Sequence, residues 1–220
     1  MPPVTKNLLI INTLIYLACA ILPRLENAVD EYGALYYFTS DQFMPFQLVS
    51  YMFIHGSFMH LFFNMFTLWM FGEIIERSMG SMRFLIYYIS CGLGAAFIQE
   101  GVFALMINHY SSIFDLGISP DDPAVRHIFG LYHSPTVGAS GAIYGILLAF
   151  GFLFPQLRIY LLFPPIPMKA RTAVIVFAAI ELALGIYNSQ ADTVAHFAHL
   201  GGMIVGLLIL LWWRRGIPRY

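Results

Sequence analysis

The chain has 220 residues, of which 59% are hydrophobic and only 10% are charged. A water-soluble domain of this size cannot bury so large an apolar fraction, so the composition excludes that class and indicates a membrane protein. The net charge of −1 gives no basis for binding nucleic acid. Cys19 and Cys91 both lie inside apolar runs, where they suggest neither a disulfide framework nor a Cys-x-x-Cys metal site.

Six apolar stretches are long enough to cross a hydrocarbon core of ~30 Å, which takes roughly 20 helical residues. They lie near residues 7–23, 57–77, 82–108, 137–154, 169–188 and 193–213. Long connections follow the first and third stretches, and the sequence shows no repeat or second domain. It therefore predicts an all-α, polytopic membrane protein in which residues 1–220 form one domain, a six-helix transmembrane bundle.

Charged residues are distributed asymmetrically about these stretches. Nine of the 11 basic residues lie at one set of helix ends: Lys6, Arg77, Arg83, Arg158, Lys169, Arg171, Arg214, Arg215 and Arg219. The opposite ends carry Arg24 and Arg126 together with Glu26, Asp30, Glu31, Asp41, Asp115, Asp121, Asp122 and Asp192. By the positive-inside rule the first set is cytoplasmic, so six spans leave both termini on the cytoplasmic side.

With that orientation, the second, fourth and sixth helices begin at the outer face, and each carries polar residues soon after its start. These are His60 and Asn64, then Ser140, then His196 and His199. His199 follows Asp192 by seven residues, which is about 10 Å along a helix axis. Polar groups inside a membrane are costly and tend to mark function. We therefore expect the serine and a histidine to meet in the outer part of the bilayer.

A serine beside a histidine can perform acyl transfer, with Ser140 as nucleophile and His199 as the base that takes its proton. The ring needs no third group if packing orients it. The oxyanion of the tetrahedral intermediate requires hydrogen-bond donors, which the Asn64 amide, the His60 imidazole and backbone N–H groups near Ser140 can supply. Tyr144 lies four residues after Ser140, so it projects over the same helix face.

Glycines spaced four residues apart on two helices predict that these helices pack closely. They are Gly141 and Gly145 on the fourth helix and Gly202 and Gly206 on the sixth. Such small-xxx-small stripes let transmembrane backbones approach each other.

These patterns make the chain resemble the rhomboid family of intramembrane serine proteases in its minimal six-helix form. The matching residues are His60, Asn64, Gly72 and Glu76 on the second helix, Gly138, Ser140, Gly141 and Tyr144 on the fourth, and Ala198, His199, Gly202 and Gly206 on the sixth. The resemblance implies a Ser140–His199 dyad and an oxyanion and substrate site of His60, Asn64 and Gly138, supported by Tyr144, Gly141, Gly202 and Gly206. It also implies that no cofactor or metal is needed, that transmembrane protein substrates are cut near their outer ends, and that the protein lies in a bacterial plasma membrane.

Five residues lie outside this pattern or have another interpretation. Many members of the family carry a Trp-Arg pair in the first connection, where this chain has Phe46-Gln47. The phenylalanine can replace the apolar anchor, but Gln47 cannot replace the charge. Glu181 is interpreted as a buried glutamate bonded to a neighbouring helix rather than as a proton relay, and Glu100 as water-exposed. His55 is interpreted as structural.

His196 could indicate a metal site, and two other classes of membrane protein are alternatives to a protease. His196 lies three residues before His199 and could join it and His60 in a metal cluster, but we expect no carboxylate or cysteine at that depth and therefore assign it a water-facing or supporting role. A catalytically inactive, client-binding relative would typically have lost the serine or the histidine. A small-solute transporter would show inverted repeats and broken helices in both halves, which this sequence does not have.

Overall fold

The computed structural model describes residues 1–114, 122, 126, 130, 133–160, 167–187 and 195–213. Within these residues the chain forms the eight α-helices given below, a 3₁₀ helix (Tyr51–Phe53) and one short hairpin. The helices are α1 (Pro3–Ile21), α2 (Pro23–Gly33), α3 (Gln47–Ser50), α4 (Phe58–Met79), α5 (Ser81–Phe114), α6 (Ser140–Leu153), α7 (Ala170–Tyr187) and α8 (His196–Trp213). The hairpin pairs β1 (Arg158–Tyr160) antiparallel to β2 (Pro167–Lys169). The predicted charge assignments at Asp115, Asp121, Asp192, Arg214, Arg215 and Arg219 fall outside the described residues.

Five of these helices, α1, α4, α5, α7 and α8, are long and apolar enough to cross a membrane. The all-α polytopic bundle predicted from the sequence is therefore confirmed. The fourth predicted span was wrong in length, because α6 has only 14 residues and reaches about 21 Å at 1.5 Å per residue.

The chain before α6 is extended, which explains the short helix. Thr136 pairs with Leu35 of the first connection in an isolated antiparallel bridge. Gly138 follows with a φ of +123°, a conformation that is incompatible with a helix and costs glycine least. Its N–H donates to the carbonyl of Tyr51 at 2.9 Å. The helix can therefore begin only after this turn, which puts Ser140 at its first position.

The first connection is tied down by Gln47, whose side chain is fully buried. Its Oε1 accepts hydrogen bonds from the N–H groups of Tyr36 and Met44, and its Nε2 donates to the carbonyls of Tyr32 and Gln42. An uncharged amide thus fastens this loop through both its donor and its acceptor.

The burial of Glu100 contradicts the expectation that it is wet. Only 5% of Glu100 is exposed, and its Oε2 accepts a hydrogen bond from the N–H of Phe38 at 2.8 Å. The first connection therefore folds over this end of α5, which the helix pattern of α5 alone did not reveal.

Glu76, near the C-terminal end of α4, binds the beginning of α1. Its carboxylate accepts hydrogen bonds from the N–H groups of Val4 and Thr5 and from the hydroxyls of Thr5 and Ser81. A carboxylate at a helix N-terminus satisfies N–H groups that have no partner within the helix.

Glycines of the small-xxx-small stripes pack α6 and α8 against α5 as well as against each other. A Cβ on Gly145 would lie 2.5 Å from Sγ of Cys91, and one on Gly206 would lie 2.4 Å from the hydroxyl of Tyr87. That hydroxyl donates to the carbonyl of Gly145 at 2.8 Å. Residues larger than glycine would push these three helices apart.

Candidate active site

Ser140 and His199 come together at the N-terminal ends of α6 and α8. Nε2 of His199 lies 2.8 Å from Oγ of Ser140, within hydrogen-bonding distance. The two residues are 59 positions apart in the chain, so only the packing of α6 against α8 creates this pair. The N-terminus of α6 adds free backbone N–H groups and a partial positive charge beside the hydroxyl.

The packing of α6 on α8 depends on backbone contact at glycines. A Cβ on Gly141 would lie 2.4 Å from the Cβ of Ala95 and 3.5 Å from the carbonyl oxygen of Ala198. Gly202, one turn after His199, has no room for any side chain, because a Cβ there would overlap the backbone of Gly141. Both supporting glycines therefore determine how near His199 comes to Ser140.

His60 and Asn64 of α4 lie next to Gly138 and line the same cavity as Ser140. The Cβ position of Gly138 is 2.6 Å from Nε2 of His60 and 3.8 Å from Nδ2 of Asn64. Ser57 caps α4 by accepting a hydrogen bond from the N–H of His60, which begins the helix so that both side chains share a face. Within the described part of the chain, Nδ2 of Asn64 is a buried donor with no hydrogen-bond partner.

His55 lies behind His60, with the two ring centroids 5.0 Å apart. It is buried, and burial together with the neighbouring His60 ring lowers the pKa of His55 from 6.5 to about 4. The ring is therefore neutral at physiological pH and acts as packing against His60, as the structural interpretation expected.

Tyr144 covers the imidazole of His199. The two rings are stacked, with centroids 4.2 Å apart and planes inclined by 7°. This position agrees with its spacing of four residues from Ser140. The Tyr144 hydroxyl also donates to Oε1 of Glu181 on α7.

Glu181 of α7 belongs to this site, where the sequence pattern did not place it. As predicted, it is buried and bonded to neighbouring helices. Its Oε2 lies 2.9 Å from Nδ1 of His199 and 2.6 Å from Nδ1 of His196. The expectation that no carboxylate shares the depth of these histidines was wrong, and His196 is buried rather than facing water. The position of Glu181 in an apolar helix could have indicated these contacts, because a carboxylate buried in a membrane requires partners.

A cavity of about 2000 Å³ joins these residues to both α4 and α7. Its lining includes Ser140 and His199 together with Met70 of α4 and Phe177 of α7. Pockets that hold drug-sized ligands have volumes of about 300–1,000 Å³, so this cavity is larger than a small molecule needs.

Comparison with known proteins gives a consistent assignment. The profile of the Rhomboid domain family matches residues 42–215. The chain is 30% identical to Rhomboid protease AarA of Providencia stuartii over 72% of its own length and 52% of that protein's. It is 29% identical to Rhomboid protein 1, mitochondrial, of Saccharomyces cerevisiae over 71% of its length and 38% of the relative's. It is 23% identical to Rhomboid protease GlpG of Salmonella choleraesuis over 93% of its length and 61% of the relative's.

The chain spans less than two thirds of the length of each of these relatives. The family profile nevertheless covers α4 to α8 and every residue of the site described above. The chain therefore belongs to the rhomboid family.

Proposed function

We propose that this protein is an intramembrane serine endopeptidase that cleaves transmembrane proteins near the outer end of their span. The observation that carries the proposal is the 2.8 Å contact between Oγ of Ser140 and Nε2 of His199, on the wall of a cavity large enough for a peptide. Family membership supports the same reaction class, since relatives such as AarA are named as proteases.

In the first half of the reaction, Nε2 of His199 takes the hydroxyl proton of Ser140 as Oγ attacks the scissile carbonyl carbon. The carbonyl oxygen becomes an oxyanion. When the tetrahedral intermediate collapses, the carbon–nitrogen bond breaks and the same proton goes to the departing amine. In the second half, water gives a proton to His199 and attacks the acyl-enzyme, and the proton then returns to Ser140 as the carboxylic acid leaves.

Three groups can stabilise the oxyanion. Nδ2 of Asn64 is a buried donor that lacks a partner among the described residues, which is what a donor kept for a transient acceptor would look like. Nε2 of His60 adjoins Gly138. The backbone N–H groups at the start of α6 are the third group, next to Ser140. Donors held in place before the reaction lose little energy to reorganisation when the charge develops.

Substrate access follows from the cavity between α4 and α7. A transmembrane substrate arrives sideways through the lipid, and its scissile carbonyl is engaged in intrahelical hydrogen bonds. Glycine and proline weaken a helix by about 1 and about 3 kcal/mol relative to alanine, so substrates with such residues near the outer end of the span should be cut faster. Replacing these residues by leucine in a cleaved substrate should slow its cleavage in liposomes, and equal rates would show that local unwinding is not limiting.

The protein is an integral membrane protein, and we propose that both termini lie on the cytoplasmic side. The basic ends of the spans, such as Arg77, Arg83 and Lys169, support this orientation. We further propose a bacterial plasma membrane, for which bacterial relatives provide support, although relatives from mitochondria share the family.

Labelling with a fluorophosphonate probe in detergent tests the proposal. The wild-type protein should be labelled on Ser140, whereas Ser140→Ala and His199→Ala should be neither labelled nor able to cut a transmembrane substrate, since each removes half of a two-part nucleophile. Their thermal unfolding and membrane insertion should match those of the wild-type protein. An unlabelled wild-type protein that binds membrane proteins without cutting them would instead identify a client-binding relative.

A further inference from the structure

We propose that Glu181 is a positioning residue of the reaction, which makes the site a Ser140–His199–Glu181 triad built on three helices rather than a dyad. This inference rests on the proposed function. Oε2 of Glu181 lies 2.9 Å from Nδ1 of His199, while Nε2 of the same ring lies 2.8 Å from Oγ of Ser140. The serine, the imidazole and the carboxylate are thus connected in sequence.

The hydrogen-bonding capacity of a carboxylate determines the tautomer of His199. An ionised carboxylate only accepts hydrogen bonds, so the ring nitrogen that faces Oε2 must carry the proton. A neutral imidazole has one N–H, and its other nitrogen is then an acceptor. With Nδ1 protonated toward Glu181, Nε2 presents its lone pair to the hydroxyl of Ser140, which is the arrangement that a general base requires.

The carboxylate is itself held from three sides. The Tyr144 hydroxyl donates to its Oε1, and the Nδ1–H groups of His196 and His199 both donate to its Oε2. These partners belong to α6 and α8, while Glu181 belongs to α7. A carboxylate with three donors around it is fixed in position, so it can orient His199 more narrowly than ring stacking by Tyr144 alone.

The charge of Glu181 also matters when the proton moves. As Ser140 attacks, His199 becomes an imidazolium, and an adjacent carboxylate stabilises that charge strongly where water is scarce. Packing of Tyr144 against the ring does not supply this electrostatic stabilisation. Glu181 therefore contributes in two ways. It selects the tautomer of His199 before the attack, and it stabilises the positive charge of the ring during the attack.

A metal ion is the competing explanation for two histidines and a glutamate whose ligand atoms lie within 4.8 Å of one another. Ligands around a tetrahedral zinc at about 2.0–2.1 Å are separated from each other by about 3.3 Å. The two nitrogen–oxygen distances of 2.6 and 2.9 Å are shorter than this and match direct hydrogen bonds. The spacing therefore fits hydrogen bonds rather than metal coordination, with Nδ1 of His199 bonded to Glu181.

The location of Glu181 on α7 links helix position to activity. The cavity that would admit substrate is bordered by α7. An outward movement of this helix would take the carboxylate away from His199, and its return would restore the contact. The contact between Glu181 and His199 therefore requires α7 to lie where this structure places it.

Two substitutions separate charge from shape. Glu181→Gln keeps the shape and removes the charge, and its amide can donate to Nδ1 and so favour the wrong tautomer; Glu181→Asp keeps the charge and shortens the side chain. We expect Glu181→Gln to lower kcat about 10²–10⁴-fold with KM within about twofold of wild type, by analogy with the acid of serine-protease triads. Glu181→Asp should retain more activity than Glu181→Gln. Glu100→Gln, at a buried glutamate bonded to Phe38, is the matched control and should leave kcat unchanged.

The proposal is overturned if kcat of Glu181→Gln stays within about threefold of wild type, or if Glu181→Asp is the more damaged of the two, since that order marks packing rather than charge. A second measurement does not require turnover. In ¹⁵N-histidine-labelled protein, with the His199 signals assigned by their loss in His199→Gln, neutral His199 should carry its proton on Nδ1, and Glu181→Gln should move it to Nε2. A proton on Nε2 in the wild type overturns the triad even if the enzyme is active. An inactive wild type with the proton on Nδ1 refutes the proposed function alone.

Discussion

Gly202 of α8 and Gly141 of α6 are in backbone contact: a Cβ on Gly202 would lie 1.8 Å from the carbonyl oxygen of Gly141. Gly141 directly follows Ser140, and Gly202 lies one helical turn after His199. This backbone contact is therefore adjacent to the pair of side chains that must meet. The interhelical distance at these glycines determines the distance between nucleophile and base.

Gly202→Ala should separate α6 from α8 and disable the site. The added methyl group cannot be accommodated without a backbone shift, and a misplacement of about 1 Å can cost about 10²-fold in rate. We expect fluorophosphonate labelling to slow by at least about that factor and the melting temperature to fall. Gly101→Ala on α5 is the control, because its Cβ would meet nothing within 4 Å; it should keep wild-type labelling. Normal labelling of Gly202→Ala would contradict the close approach.

Asn64→Ala should lower kcat by about 10²–10³-fold, the effect of losing one oxyanion-hole donor. KM should change little, since the amide acts on a charge that develops only in the transition state. The measurement is steady-state cleavage of a transmembrane substrate in detergent. Asn12→Ala is a suitable control, because Asn12 is also a buried asparagine but bonds to the carbonyl of Leu8 in α1. An unchanged turnover number for Asn64→Ala would remove this residue from the site.

The buried ring of His55 should make the protein less stable in mild acid. Burial and the His60 ring lower its pKa from 6.5 to about 4, so below pH 6.5 the unfolded chain binds a proton that the folded one does not. Stability is complete above pH 6.5 and is lost as the pH falls toward 4, by about 3 kcal/mol at most. In His55→Gln the free energy of unfolding should vary less with pH across this window. Parallel curves for the two proteins would show that His55 is not the group responsible.

Cysteines at Ser134 and Lys169 should react with a membrane-impermeant maleimide from opposite sides of the membrane. Both side chains are exposed, and they flank α6 and the hairpin that follows it. Asp121 belongs to the same connection as Ser134 but lies outside the described residues, which makes Ser134 the better probe. Ser134→Cys should label in intact cells and Lys169→Cys only after permeabilisation, each in a chain lacking Cys19 and Cys91. Same-side labelling would contradict the proposed orientation.

The apolar stretches of the sequence were enough to predict a helical bundle, and the spacing of residues along each stretch was enough to predict which of them share a helix face. A chain in lipid must satisfy its backbone hydrogen bonds internally, so long apolar stretches have to be helices. Once a stretch is helical, its 3.6-residue period determines which residues share a face. This local rule is sufficient to put Asn64 on the face of His60, Tyr144 on the face of Ser140 and Gly202 beside His199, because each pair lies three or four residues apart.

Which helix faces meet, and at what depth, depends on the tertiary packing of the helices. Glu181 precedes His199 by 18 residues and lies on another helix, so no local period connects them; their contact depends on the rotation and height of α7 relative to α8. The burial of Glu100 depends in the same way on where the first connection folds back. The start of α6 at Ser140 depends on a pairing between Thr136 and Leu35. Hydrophobic periodicity describes each helix about its own axis, and it carries no information about how neighbouring axes are placed.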